Sequence, residues 1–399
     1  MSFKAAKRLD GVSESATLKL NALVQAMRAR GEDIVNLTAG EPDFPAPEEA
    51  KAAIRRALDE NKNKYTPVAG IPEVRERIAK KTNVQQPNVV AAHGEWKASE
   101  VVVTNGGKQA IYNAAMALLN PGDEVLIPAP YWLSYPEMVK LAEGKPVVVE
   151  TKAESKFKVT VEGLRKALTP KTKLLILNSP SNPTGTTYTR AEFEAIGKWL
   201  EKEAPNVWVL SDEIYDRILY GQDPFVSFLD AAPALRNRSI TVNGLSKAAA
   251  MTGWRIGWTV APAELTQAML TLQGQSTSGI NSLAQYAAVA ALDLAEEKFA
   301  EMVAAFRRRR RMALEILAKA EKLKVVPPEG AFYVFLGIEA FVKPGEDSMT
   351  LSENLIREAK VAVVPGTPFG APNWVRISIA TDDDTLKKGC ERLVSFFGG

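Results

Sequence analysis

The stretch SITVNGLSKAAAMTGWRIGW, Ser239–Trp258, places Lys247 directly after an apolar run and Arg255 a short way beyond it. An apolar segment closed by Gly244 reads as a buried strand, and the residues after it as a connection of small side chains. A lysine at the mouth of such a strand, flanked by alanines, is partly desolvated. Desolvation lowers an amine's pKa and suits it to Schiff-base chemistry with a carbonyl compound. Position alone also fits a solvent-facing lysine, so the neighbouring segments have to decide.

Runs of the same kind recur on both sides: EVVVTN (100–105), DEVLIPAP (123–130), KPVVVE (145–150), KLLILNSP (173–180), VWVLSDE (207–213) and GWTVAP (257–262). Continuous apolar segments joined by helical patterns read as buried parallel strands of an α/β sheet. Ahead of them lie a helical pattern, TLKLNALVQAMRARG (17–31), and then AGEPDFPAP (39–47). Pro42, Pro45 and Pro47 forbid a helix in the second and favour an extended connection. From about Leu283 a long helical stretch leads to KVVPPEGAFYVFL, AVVPGTPFG and WVRISIA, with a last helix in TLKKGCERLVSFF. The expected organisation is one large α/β domain over 48–285 and a smaller α+β domain built from 1–47 and 286–399.

Charge and composition narrow the partners. With 399 residues and a net charge of +3, the chain shows no global pull toward nucleic acid or an anionic membrane. The single cysteine, Cys390, has no internal disulfide partner, which fits a reducing, cytoplasmic compartment. Its helical spacing with Leu386, Leu393 and Val394 reads as a buried hydrophobe. One histidine, His93, in a polar connection argues against a multi-histidine metal site, and no metal is expected. The opening MSFKAAKRLDG lacks the apolar core of a signal peptide, and no apolar stretch reaches membrane-spanning length. The basic run FRRRRRM (Phe306–Met312) falls in a helical pattern and reads as a solvated helix face.

In open α/β sheets, ligands gather at the carboxyl ends of strands. Gly106 and Gly107 follow EVVVTN and open a helical pattern, where backbone N–H groups can meet an anion. Two glycines equally describe a tight turn. Asp212 closes VWVLSD, and a carboxylate there needs a cation or several donors, or its pKa rises. A helix cap at Ser211 or Asp212 is the plainer alternative. In WVRISIA, Trp374, Arg376 and Ser378 share one strand face. A buried arginine beside an aromatic wants a carboxylate, from a substrate or from an internal acid. An anion cradle, a buried aspartate, a strand-end lysine and a nearby arginine together fit pyridoxal 5'-phosphate, with the aspartate keeping the pyridine nitrogen protonated.

The segments AGEPDF, YTPVAGIPEVRE, NGGKQAIYNA, PYWLSYPEM, NSPSNPTG, SDEIYD, SKAAAMTGWRIGW, GAFYVF, VVPGTPFG and VRISIA occur in order across nearly the whole chain. The set resembles the class I, fold-type I pyridoxal-phosphate aminotransferases, and most closely the gamma subgroup of bacterial aspartate aminotransferases. The resemblance implies a mostly parallel seven-stranded sheet, bound pyridoxal phosphate and a homodimer with shared active sites. It makes Lys247 the Schiff-base lysine and proton shuttle, Asp212 the pyridinium partner, and Tyr215 with Asn182 the pair on the cofactor's phenolic oxygen. Trp132 would stack on the ring. Gly106, Gly107, Ser246 and Arg255 would form the phosphate cup, with Tyr65 reaching it from the neighbouring subunit. Arg376 would grip the substrate α-carboxylate, joined by Asn182 and the backbone at Gly40.

The same resemblance bears on the substrate. The animal-type branch binds the second carboxylate of aspartate with an arginine of the partner subunit, and the matching region here, QGQSTSGINS, has no arginine. In the gamma subgroup a lysine at the GGK position does this, helped by small hydroxyl residues near the N-terminus. Lys108, Ser15 and Thr17 fill those places. The implied reaction moves the amino group of aspartate to 2-oxoglutarate by a ping-pong course, with prephenate as a further acceptor. A lyase or synthase on the same scaffold would keep the same cofactor residues. A non-catalytic pyridoxal-phosphate sensor would need an attached DNA-binding domain, for which the short N-terminal part leaves no room. Ala249 departs from the aromatic that many relatives carry, and the connection QQPNVVAAHGEWKAS (85–99) matches no motif.

Overall fold

The computed structural model describes residues 4–13 and 16–398. After β1 (Val35–Asn36), the seven expected runs form β2 (Val101–Asn105), β3 (Glu124–Pro128), β4 (Lys145–Val149), β5 (Thr172–Asn178), β6 (Trp208–Asp212), β7 (Ser239–Gly244) and β8 (Ile256–Val260). They make one seven-stranded sheet in the order β2-β8-β7-β6-β5-β3-β4. The central strands are buried on both faces, Leu174, Leu175, Val209 and Leu210 fully so. This is why they read as unbroken apolar runs and not as alternating ones.

One strand departs from the parallel reading. β8 runs antiparallel to both of its neighbours, β2 and β7. Between Gly244 and Ile256 the chain holds only the short turns Leu245–Ala248 and Thr252–Trp254. That is too little chain for a crossover helix, so the strand returns beside β7 in reverse. The reversal puts the amino end of β8, with Arg255, on the same rim as the carboxyl ends of β2, β5, β6 and β7. Arg255 enters the strand in the left-handed region, at φ 58°.

Further on, β9 (Lys324–Val326), β10 (Tyr333–Gly337), β11 (Val361–Ala362), β12 (Val364–Pro365) and β13 (Trp374–Ser378) follow. Four of them form an antiparallel sheet, β12-β13-β10-β9, while β11 pairs in parallel with β1 and ties the two ends of the chain together. Cys390 is buried among Leu386, Leu393 and Phe332, as its spacing predicts. Helices occupy Ala16–Ala29, Ser282–Leu292 and Asp383–Gly398, where the periodicity puts them. No helix among the described residues is long and apolar enough to cross a membrane.

Two segments correct the sequence reading. The arginine-rich helix, Ala300–Leu317, is more than a solvated face, because Arg309 is buried. Its guanidinium forks onto both oxygens of Asp43 at 2.8 Å, and its Nε donates to Asp383 at 2.9 Å. Arg309 therefore clamps the extended AGEPDF segment to the start of the C-terminal helix. The 85–99 connection contains a helix, Pro87–His93, and it buries Gln86 and Trp96 while His93 stays exposed.

Glycine at position 257 lets β8 lie against the turn after β2. A Cβ there would meet the Gly107 nitrogen at 2.3 Å and the Gly106 carbonyl carbon at 2.4 Å. Backbone cannot yield as a flexible side chain does. Gly257→Ala should therefore destabilise the cofactor-free protein by about 1–3 kcal/mol in denaturant unfolding. An unchanged midpoint would mean the two backbones are not held this close.

Candidate active site

The rim of the large sheet opens on a cavity of about 340 Å³, within the usual range for small-molecule sites. Its wall takes Gly107 and Lys108 from the chain after β2, Asn178 and Asn182 from the end of β5, and Asp212 and Tyr215 from the end of β6. Ser246 and Lys247 follow β7, and Arg255 precedes β8. Arg376 of β13, Gly40, Trp132, Tyr135 and Tyr333 close the space.

Lys247 points into this cavity and not into solvent. Its Nζ donates to the Gly40 carbonyl. Burial depresses the amine to about 8; Glu41 and Asp212 oppose the shift, while Arg376 and Arg255 add to it. Asp212 is buried and is not a helix cap. Its Oδ2 accepts from the Tyr135 hydroxyl at 2.6 Å and its Oδ1 from the Ile214 N–H at 3.3 Å. Burial still raises the carboxyl to about 6, against those two donors and Lys247. A carboxylate in this state is completed by a cationic N–H in the cavity.

Arg376 is fully enclosed. It donates from one terminal nitrogen to Asn182 Oδ1 at 2.8 Å and from the other to the Thr38 carbonyl at 3.1 Å. The Tyr333 ring lies 4.2 Å from the guanidinium carbon and the Phe369 ring 5.2 Å. Its Nε is buried without a partner, and among the described residues no Asp or Glu pairs with it. The internal ion pair left open by the sequence is thus not there. A guanidinium in this position is costly until a ligand carboxylate arrives.

Gly106, at φ 80°, makes the turn that starts the helix Gly107–Leu118. Arg255 lies against that turn: a Cβ on Gly106 would meet its Nη2 at 2.5 Å. The guanidinium is held there by the Asn105 and Thr252 carbonyls, at 3.2 and 3.0 Å. Helix N–H groups, Arg255 and Ser246 together form an anion cup. Lys108, in the first turn of the same helix, sits 5.1 Å from the Trp132 ring. Its pKa is lowered by burial and by Arg255.

Most of the expected residues are therefore brought together; Tyr65 is not. Tyr65 is fully exposed, at 101 %, and does not line the cavity. Ser15 lies outside the described residues, and Thr17 falls in the first turn of the helix Ala16–Ala29. The structure adds residues that the sequence reading passed over. Tyr135 stands edge-on to Trp132 at 5.3 Å and holds Asp212. Tyr333 shares a 2.9 Å hydrogen bond between its hydroxyl and that of Tyr215. Asn178 donates to the Asp212 carbonyl at 2.9 Å and accepts from the Asn182 N–H at 2.8 Å. All three stand inside motifs that were singled out, PYWLSYPEM, GAFYVF and NSPSNPTG, and only their partners were missing.

A lysine lowered in pKa, a carboxyl raised in pKa, an anion cup and an orphan guanidinium nitrogen fit an aldehyde cofactor with a phosphate and a basic ring nitrogen. This is the site of a fold-type I pyridoxal-phosphate enzyme. The family model "Aminotransferase class I and II" matches residues 32–393. An aspartate/prephenate aminotransferase of Cereibacter sphaeroides is 44% identical over 396 residues, 97% of either chain. An aspartate aminotransferase of Geobacillus stearothermophilus is 42% identical, with 98% of each chain covered. Among solved structures, the aspartate aminotransferase of Rhizobium meliloti aligns at a TM-score of 0.93 and 39% identity over 100% of this chain and 99% of that one. That of Thermus thermophilus with maleate aligns at 0.91 and 42% identity, over 99% of this chain and 100% of that one. The chain belongs to the class I and II aminotransferases, and it is a pyridoxal-phosphate-dependent aminotransferase.

Keeping Asp212 ionised without its cation should cost stability. The folded carboxyl titrates near 6 and an unfolded one near 3.8, so the cost is absent below both values and complete above pH 6. Asp212→Asn should therefore stabilise the cofactor-free protein at pH 8, by at most about 3 kcal/mol, and lose that advantage below about pH 4. Urea unfolding at the two pH values checks this. Equal stabilities at pH 8 would refute the buried-anion description.

Proposed function

We propose that the protein moves the amino group of aspartate to 2-oxoglutarate, giving oxaloacetate and glutamate, by a ping-pong course in one site. The observation that carries this is the pair of separated cations offered to one small ligand. Among the described residues Arg376 has no carboxylate of its own, and Lys108 lines the cavity from a different structural layer. A substrate with two carboxylates satisfies both. We assign the distal carboxylate to Lys108, helped by Ser15 and Thr17, on the resemblance to the gamma subgroup. Prephenate, which also carries two carboxylates, is a further acceptor on this reading.

Pyridoxal phosphate, when bound, supplies an aldehyde that takes up the amino group and a ring that accepts electrons from the α-carbon. The side chains do the rest. Arg376, Asn182 and the backbone at Gly40 orient the substrate's α-carboxylate, and Trp132 packs against the ring. Lys247, with its amine near 8, is unprotonated in an appreciable fraction at neutral pH, so it can take the α-proton and return it. Asp212, aimed by Tyr135 and the Ile214 N–H, keeps a proton on the ring nitrogen. Tyr215, braced by Tyr333, donates to the phenolic oxygen together with Asn182. Gly106, Gly107, Ser246 and Arg255 hold the phosphate.

We further infer a homodimer in the cytoplasm. A tyrosine as exposed as Tyr65 suits a role in the neighbouring subunit's phosphate cup, and an unpaired, buried Cys390 suits a reducing compartment. The separation of the two larger sheets supports a large domain over 48–285 and a small one from 1–47 and 286–399.

The test is spectrophotometric. Aspartate, glutamate, alanine and phenylalanine are mixed separately with the yellow holoenzyme. The two dicarboxylates should bleach the visible band at far lower concentration than alanine. Arg376→Ala should lower kcat/KM for aspartate about 10²–10³-fold, as for a lost partner of a buried charged pair. No response to either dicarboxylate would remove the aspartate reading while leaving the cofactor in place.

A further inference from the structure

A cluster of buried polar groups lies behind the cavity wall, and the reaction just described makes no use of it. Asp216 is 3 % exposed. Its Oδ2 accepts from Lys81 Nζ, from Gln85 Nε2 at 2.8 Å and from Asn243 Nδ2 at 3.0 Å. Burial pushes this carboxyl up, but Lys81 and Arg217 outweigh it and hold the group below the ordinary carboxylate range. Asp216 is therefore a buried anion. Such a pair contributes little stability compared with apolar residues of the same volume, so its placement asks for another role.

Two of its connections lead to the chemistry. Asp216 directly follows Tyr215, in a turn closed by its own N–H donating to the Glu213 carbonyl at 3.0 Å. Asn243 lies on β7 and relays the contact, because its Oδ1 accepts from the Gly244 N–H at 2.7 Å. The helical turn that carries Lys247 starts at the next residue. The outer support comes from the helix Pro72–Gln85 and the segment after it. There Gln86 donates to Ser227 Oγ at 3.0 Å and Thr241 Oγ1 at 3.1 Å, and accepts from Trp96 Nε1 at 2.8 Å. The 85–99 connection, which matches no motif, braces this cluster.

We propose that Asp216, held by Lys81, is a positioning residue that fixes Tyr215 and, through Asn243, Lys247 relative to one another. It touches neither cofactor nor substrate, and the proposal rests on the roles given above to Lys247 and Tyr215. The experiment compares the holoenzyme with Asp216→Asn, which removes the charge, and Asn243→Ser, which keeps the charge but removes both the Asn243 donor to Asp216 and the acceptor for the Gly244 N–H. Each is titrated with pH through the visible band of the bound cofactor, without substrate, and its thermal midpoint is recorded. A hydroxyl donor at the phenolic oxygen favours the deprotonated form, so a displaced Tyr215 should raise the band's apparent pKa. Asp216→Asn should raise it by about half a unit or more, and Asn243→Ser by less in the same direction. Variants that titrate like the parent, with only a lower thermal midpoint, would overturn the proposal. Should Asp216→Asn not fold, Asn243→Ser decides by the same criterion. Because no substrate is present, a wrong choice of aspartate as donor leaves this result unaffected.

Discussion

The structure turns on a carboxylate that its own chain leaves incomplete. Asp212 ends β6 under full burial with two hydrogen-bond donors and, among the described residues, no cation in an ion pair with it. Lys247, the obvious candidate, is engaged instead by the Gly40 carbonyl and is itself pushed toward neutrality. Two groups that would form a salt bridge in water are thus held apart in a medium of low polarity. The arrangement is unfavourable alone and favourable around a ligand that brings its own cationic N–H and a carbonyl carbon. Binding energy for the cofactor is in this sense stored in the fold as unsatisfied charge.

What holds the groups apart is the sheet. Parallel strands deliver their carboxyl ends to one rim, and β8, reversed, delivers its amino end to the same place. The anion cup depends on that reversal, since it puts Arg255 over the glycine turn that follows β2. Arg376 arrives from a different sheet and is anchored across the gap by Asn182 and the Thr38 carbonyl. The cavity is therefore a junction between two layers, and Arg309, clamped on Asp43 and Asp383, secures the segment that crosses it.

Much of this was legible in the residues. Seven apolar runs became seven strands, and Lys247, Asp212, Asn182, Tyr215, Arg255 and Arg376 came to one cavity because each sits within a few residues of a strand end or on a strand whose length the run already marks. What stayed illegible has a common cause. The direction of β8 is set by the length of its connection and not by its composition. Tyr135 and Tyr333 read as ordinary core aromatics, because their significance lies in hydroxyl partners 77 and 118 residues away. Arg309 looks like its four neighbours in the basic run, and only the packing of the helix selects it for burial. Tyr65 is fully exposed and away from the cavity, so nothing in its own packing marks it.

In the proposed mechanism the two displaced pKa values also define a working window. Asp212 needs to be an anion to hold a proton on the ring nitrogen, which favours pH above about 6. Lys247 needs to shed a proton to act as a base, which favours pH approaching 8. Unperturbed, the carboxyl would ionise near 3.8 and the amine near 10.5, leaving the base almost wholly protonated at neutral pH. Burial moves both toward neutrality at once, for the same physical reason, since it disfavours each charged form. A cationic ring nitrogen beside Asp212 would then lower its carboxyl again. One desolvated cavity thereby sets both groups for proton transfer at the α-carbon.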